Sequence, residues 1–207
     1  MKISGMTVWR GSQPLILASQ SRVRQTLLAN AGIAFEAIPA DIDERAIQQQ
    51  SGLTGPEEVA ALLALHKAKA VAARYPARIV LGADQTLALG DRLFNKPAGR
   101  ADAAAQLRLL SGQTHELHSA FALIGDGEIL GQQVSVARLT MRPLADAAIE
   151  KYLDAAGSAV TTSVGAYQLE GLGVHLFADI DGDHFTILGL PLMTLLPMLR
   201  DHALIEI

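Results

Sequence analysis

No cysteine occurs among the 207 residues. Its absence excludes disulfides, thiolate metal sites and cysteine nucleophiles, and it fits a reducing, cytoplasmic compartment. Charge is also scarce. Lys+Arg number 17 against 21 Asp+Glu, for a net charge of -4, so the chain lacks the basic face of a general nucleic-acid or membrane-surface binder. A local basic cleft for a small anion remains compatible with that balance. Aromatic residues make up only 4% and form no strip interleaved with Arg and Lys, which also speaks against nucleic acid. Long apolar runs are missing: Phe185 to Leu199, the most apolar stretch, is too short to span a bilayer and carries two prolines. Met1 to Pro14 has no apolar core and reads as no signal peptide. Walker, G-x-G-x-x-G, H-E-x-x-H and G-x-S-x-G elements are absent, so kinase-like, Rossmann, zincin and hydrolase-elbow chemistries lose their usual support.

What is present is an apolar chain, 50% hydrophobic and long enough for one core or for two lobes sharing a sheet. Its patterning predicts a buried strand at Leu15–Ala18, a helix over Ser21–Ala31 closed by Gly32, and a strand at Phe35–Ile38. An acidic loop with Asp41, Asp43 and Glu44 follows. Thr54-Gly-Pro-Glu57 has capping-box spacing before a helix from Pro56 to about Tyr75, and Ile79–Ala83 is a strand with Asp84 at its end. Gly90-Asp91 turns into Leu93 and Phe94, Ala101–Leu110 is a helix, and Gly125-Asp126-Gly127 joins a long hairpin of Glu116–Ile124 with Glu128–Met141. Asp146–Ala155 reads as a helix, Gly173–Ile180 and Phe185–Leu188 as paired strands, and Leu192–Arg200 as a closing helix. Hairpins interrupt the alternation of strands and helices, which predicts an α/β fold with a mixed sheet.

Several stretches carry candidate chemistry. In LASQSRVRQTLL, residues 17–28, a strand runs into Ser-x-Ser and then a helix, offering free N–H groups and hydroxyls to an anion, with Arg24 one turn on. An ordinary Ser21 helix cap with solvated arginines accounts for the same residues. In VLGADQTL, residues 80–87, an aspartate at the end of a buried strand suits a metal ion or a general base, or else a turn. Lys67 and Lys69, two apart, cannot share a helical face, so at most one enters a cleft. Lys96 in FNKP is a third cation. Asp41, Asp43 and Glu44 with Asp84 form a potential all-oxygen site for a hard cation, or simply a solvated loop. In VGAYQLEGLG, residues 164–173, three glycines allow close backbone approach, and Gln168 and Glu170 have the chemistry to read a base edge. His115 and His118 would lie on opposite faces of a strand, a poor metal pair.

Taken in order, LASQSRVRQTLL, DIDE, ALHKAKA, LGADQTLALGDRLFNKP, LSGQTHE, VGAYQLEGLG and GDHFTILGLPL resemble the Maf family of nucleoside triphosphate pyrophosphatases, from Leu15 to about Arg200. The resemblance implies one two-lobed α/β domain over residues 1–207, related to inosine-triphosphate pyrophosphatases, with a nucleotide cleft between its lobes and often a homodimer. It implies hydrolysis between the α and β phosphates with Mg²⁺ or Mn²⁺. Asp84 takes the place of the general base. Glu44 and Asp84 would hold the metal, and Ser19, Ser21, Arg24, Lys67 and Lys96 the polyphosphate.

The family's usual S-P-R-R or S-P-W-R stands here as Ser21-Arg22-Val23-Arg24. Val23, Gln85 and Glu170 fill the positions linked to base choice. Gln85 and Glu170 resemble the 7-methyl-GTP branch rather than the dTTP and UTP branch, and a glutamate accepts two hydrogen bonds from guanine that uracil and thymine do not offer. Val23 cannot give the cation–π contact that a tryptophan gives a methylated base. A modified or guanine-type nucleotide is therefore the expected substrate, with dTTP or UTP as the alternative. Because Maf-like proteins are also linked to inhibition of septum formation, a regulator that binds nucleotide without turnover is a further alternative.

Overall fold

The computed structural model describes residues 8–207. Part of the amino-terminal stretch read above as carrying no signal peptide, residues 1–7, lies outside the described residues.

Strands β1 (Leu15–Ala18), β2 (Phe35–Ala37), β3 (Val80–Leu89), β4 (Arg92–Phe94), β5 (Thr114–Gly125), β6 (Glu128–Met141) and β7 (Phe177–Asp181) build a single seven-stranded sheet. Its order is β2-β1-β3-β5-β6-β7, with β4 pairing β3. β1 runs parallel to β2 and β3, and all the later pairings are antiparallel. The sheet is mixed, as the interrupting hairpins predict. Helices α1 (Arg22–Asn30), α2 (Glu44–Ser51), α3 (Pro56–Ala72), α4 (Arg100–Leu110), α5 (Asp146–Ala156), α6 (His184–Ile187) and α7 (Leu192–Asp201) cover it.

One sheet face lies under α3, whose Ala60, Ala64 and Ala68 pack on Ala120, Ala122 and Val80. The approach is close: a Cβ at Gly82 would stand 2.2 Å from the Ala64 carbonyl oxygen and 2.6 Å from the Ala68 nitrogen. The opposite face carries two separate apolar cores. Leu17, Leu81 and Phe121 pack with α1 and α7 in one of them. Leu87, Leu117 and Leu139 pack with α4 and α5 in the other. Gln85 and Ser119, adjacent across β3 and β5, put a polar pair between the two, which makes two lobes on one sheet.

Four expected features differ. Asp84 does not end its strand, because β5 pairs β3 without a break from Val80 to Ala88. Glu44 opens α2 rather than sitting in a loop, because the Asp43 carboxylate accepts the Ala46 N–H at 2.9 Å. Thr54 caps nothing: the α3 cap is Gly55, with Pro56 at the first turn and no side-chain cap bond. The hairpin expected around Asp181-Gly182 is absent. Leu172–Leu176 is a 3₁₀ turn, Phe177–Asp181 pairs with β6, and His184–Ile187 is helical because the Asp183 carboxylate accepts from the Phe185 and Thr186 N–H groups and the Thr186 hydroxyl.

Candidate active site

Strand β3 has one continuous edge and one broken edge. On the broken edge β1 ends at Ala18 opposite Gly82, and the antiparallel β4 ends at Phe94 opposite Leu87. Residues 83–86 have no strand partner on that side, and a cleft of about 1290 Å³ opens there. Successive strand residues point to opposite faces. Asp84, opposite Ala120, points toward α3, while Gln85, opposite Ser119, points into the space between the two lobes. Both line the cleft.

Asp84 meets Lys67 and Glu44. From α3, Lys67 Nζ donates to Asp84 Oδ1 at 2.6 Å and lies 2.9 Å from Glu44 Oε1 at the start of α2. Lys69 is exposed, so only one of the two lysines enters the cleft. Burial pushes the Asp84 carboxyl above its ordinary value, against the opposing pull of Lys67 and Arg24. Two carboxylates from distant parts of the chain thus converge on one point, an oxygen donor set of the kind a hard divalent cation takes. Asp43 is taken up in capping α2, while Asp41 is exposed and lines the same cleft. Among the described residues no cluster of three or more His, Cys, Asp or Glu could hold a metal ion by itself.

The entry segment has a definite internal structure. Ser21 caps α1, accepting the Arg24 N–H at 3.4 Å. Ser19 Oγ accepts the Ser21 N–H and Arg24 Nη1, each at 3.2 Å. Arg24 is buried, and it also donates from Nη1 to the Ala83 carbonyl at 2.8 Å and from Nε to the Gly189 carbonyl at 2.7 Å. Burial draws its guanidinium below the ordinary value, against the pull of Asp84 and Glu44. Arg24 therefore ties β1, β3 and the segment after α6 together while still lining the cleft.

The remaining expected residues are spread around the same space. Val23, Lys96 and Glu170 all line the cleft. Lys96 and Glu170 are exposed and form no ion pair among the described residues. The Gln85 amide donates to Ser119 Oγ at 2.9 Å and to the Thr186 and Ile187 carbonyls at 3.2 and 3.0 Å, so Oε1 is the function it has left to present. Gln168 Nε2 is held by Thr162 Oγ1 at 2.8 Å. Sequence reasoning missed Ser119, Thr186 and Gly189, which hold Gln85 and Arg24 in place; they are small or neutral residues on distant elements, with no local signal. His115 and His118 do face opposite ways: His115 Nε2 bonds the Tyr167 hydroxyl at 2.7 Å, and His118 Nε2 lies 3.1 Å from Glu116.

The chain is similar to known proteins along nearly its whole length. A family described as Maf-like protein matches residues 14–202. A nucleoside triphosphate pyrophosphatase of Rhodopseudomonas palustris (strain BisB18) is 66% identical over 200 residues, covering 97% of this chain and 99% of its own. A 7-methyl-GTP pyrophosphatase of Rhizobium etli is 53% identical over 194 residues, covering 93% of this chain and 98% of its own. Among solved structures, a dITP/XTP pyrophosphatase from Mycobacterium abscessus superposes with a TM-score of 0.42 at 15% identity, over 93% of this chain and 96% of that one. With a family match that runs from β1 to the end of the last helix, the chain belongs to the Maf family.

Proposed function

We propose that the chain is a nucleoside triphosphate pyrophosphatase acting on free nucleotides in the cytoplasm. Water attacks the α-phosphorus, the bond to the α–β bridging oxygen breaks, and nucleoside monophosphate and pyrophosphate leave. The observation that carries this reading is the meeting of Asp84, Lys67 and Glu44 at the unpaired stretch of β3, inside the cleft. Burial raises the proton affinity of the Asp84 carboxyl, the direction that suits a base taking the proton of the attacking water. Lys67, Lys96 and Arg24 place positive charge beside the departing pyrophosphate, and the Ser19 and Ser21 segment borders it.

Glu44 and Asp84, whose carboxylates meet at Lys67, are the oxygen donors that would hold Mg²⁺ or Mn²⁺. Such a cation, when bound, supplies charge neutralisation on the phosphate oxygens. For the base, a guanine-type or modified nucleotide such as 7-methyl-GTP is supported by Glu170, which can accept from guanine N1–H and its amino group. Gln85, with its amide hydrogens committed, adds an acceptor.

The test is pyrophosphate release across standard and modified nucleoside triphosphates with each metal. Turnover of 7-methyl-GTP or GTP above the pyrimidine nucleotides supports the assignment. Preference for dTTP or UTP overturns the base reading, and no release from any nucleotide favours a nucleotide-binding regulator. Sedimentation of the same preparation tests the homodimer that the family resemblance implies.

A further inference from the structure

We propose that His115 is a positioning residue for the base-reading end of the cleft, acting through Tyr167. This rests on the nucleotide reading above, and it concerns residues that the reaction itself does not use.

His115 stands on β5 with its side chain fully buried, and its Nε2 lies 2.7 Å from the Tyr167 hydroxyl. Tyr167 is 5% exposed and lines the cleft beside Gln168, Leu169 and Glu170. The Tyr167 ring sits edge-on to Phe177, with centroids 4.8 Å apart. A buried polar pair in an apolar cluster costs desolvation that a Phe–Leu contact avoids. Here the cost is greater still, because His115 Nδ1 is buried without a partner. What such a pair supplies is direction: the hydroxyl fixes where the ring ends, and the ring fixes the backbone that leads to Glu170.

The backbone at this point supports the same conclusion independently. Ala166, immediately before Tyr167, has φ +63°, a conformation that non-glycine residues seldom adopt. Gly165 has φ +77°, and a Cβ there would stand 2.5 Å from Leu87 Cδ1. Strained backbone persists only where its surroundings determine it. Here the determinants are the His115–Tyr167 bond from the sheet and the Tyr152 hydroxyl, which donates to the Ala166 carbonyl at 3.1 Å from α5. The loop that presents Glu170 is thus held from two elements, and neither contact touches the triphosphate end marked by Asp84.

The experiment compares Tyr167→Phe, His115→Leu and the double variant with the wild-type chain, using steady-state kinetics over the nucleotide panel and amide hydrogen exchange of residues 164–173 without nucleotide. Each single variant is expected to raise KM for the preferred nucleotide about tenfold, to change KM more than kcat, and to narrow the ratio of kcat/KM between bases. The double variant should change that ratio little further, since both residues act along one line. Exchange over 164–173 should quicken. Folded variants with an unchanged base ratio overturn the proposal, and a purely structural role would lower Tm without moving that ratio. If the wild-type chain turns over no nucleotide, the functional reading falls separately. Base preference is then read from equilibrium binding of the same nucleotides: a changed preference in the folded variants supports this proposal, and an unchanged one overturns it.

Discussion

Arg24 Nη1 donates to the Ala83 carbonyl at 2.8 Å, so a side chain from α1 takes the place that a neighbouring strand's N–H would occupy on the open edge of β3. The same guanidinium reaches the Gly189 carbonyl at 2.7 Å. Arg24 is therefore structural as well as electrostatic. Replacing it with Ala leaves two carbonyls without their donor and should cost about 2–4 kcal/mol of stability. Lys, with a single nitrogen, should restore only part of that. Denaturant unfolding checks this; a variant as stable as wild type would reduce Arg24 to a phosphate ligand.

Asp84→Asn keeps the shape of the side chain and removes the carboxylate proposed as the base. Turnover should fall by about 10²–10⁴-fold, while the fold is retained. Near-normal pyrophosphate release from a correctly folded variant removes Asp84 from the chemistry.

Gly82 sets the distance between α3 and the sheet, and with it the reach of Lys67 to Asp84. Gly82→Ala places a methyl group against the Ala64 and Ala68 backbone, which cannot swing aside as a side chain can. It should destabilise by about 1–3 kcal/mol and lower kcat by displacing α3. Loss of stability with kcat unchanged would mean that the Lys67–Asp84 contact does not govern the rate.

His115 makes stability depend on acidity. Burial pulls its imidazole from an ordinary 6.5 to about 4, so the folded state resists a proton that the unfolded chain accepts. The contribution is fully present above about pH 6.5 and is lost as pH falls from there toward 4, to a total of about 3 kcal/mol by linkage. Melting curves of wild type and His115→Leu across that range should differ in slope, with the wild type losing more. Parallel curves would contradict the shift.

Val23 lines the cleft, at a position that the family resemblance links to base choice. Val23→Trp should tighten 7-methyl-GTP relative to GTP by about 0.5–2 kcal/mol, through a cation–π contact with the methylated ring. Equal effects on both nucleotides would place the base elsewhere.

The sequence made much of this legible where the signal was local. Strand and helix patterning located β1, β5, β6 and α7, and the order of motifs pointed to the cleft. Lys67 rather than Lys69 was not decidable locally; it took the contact of α3 with β3 to choose. Helix α2 escaped notice because ERAIQQQS has no apolar stripe and buries no residue. The segment around Asp183 departs from its strand pattern because one carboxylate, by capping His184–Ile187, outweighs a β-branched pattern four residues long. The partners of Gln85 and Arg24 come from residues far along the chain, such as Thr186 and Gly189.

Asp84 and Gln85 are neighbours in the chain yet look out on opposite sides of one strand. On the proposed reading, bond cleavage and base choice are separated by parity rather than by distance. A slip of one residue between β3 and β5 would set an amide against Lys67 and a carboxylate among the Thr186 and Ile187 carbonyls, and would also turn Leu81 and Leu87 out of their cores and bring a Cβ against α3 where Gly82 now lies. The alignment of two strands is thus a determinant of the enzyme's chemistry, and a deletion in the Val80–Asp84 run should be more damaging to activity than any single side-chain change there.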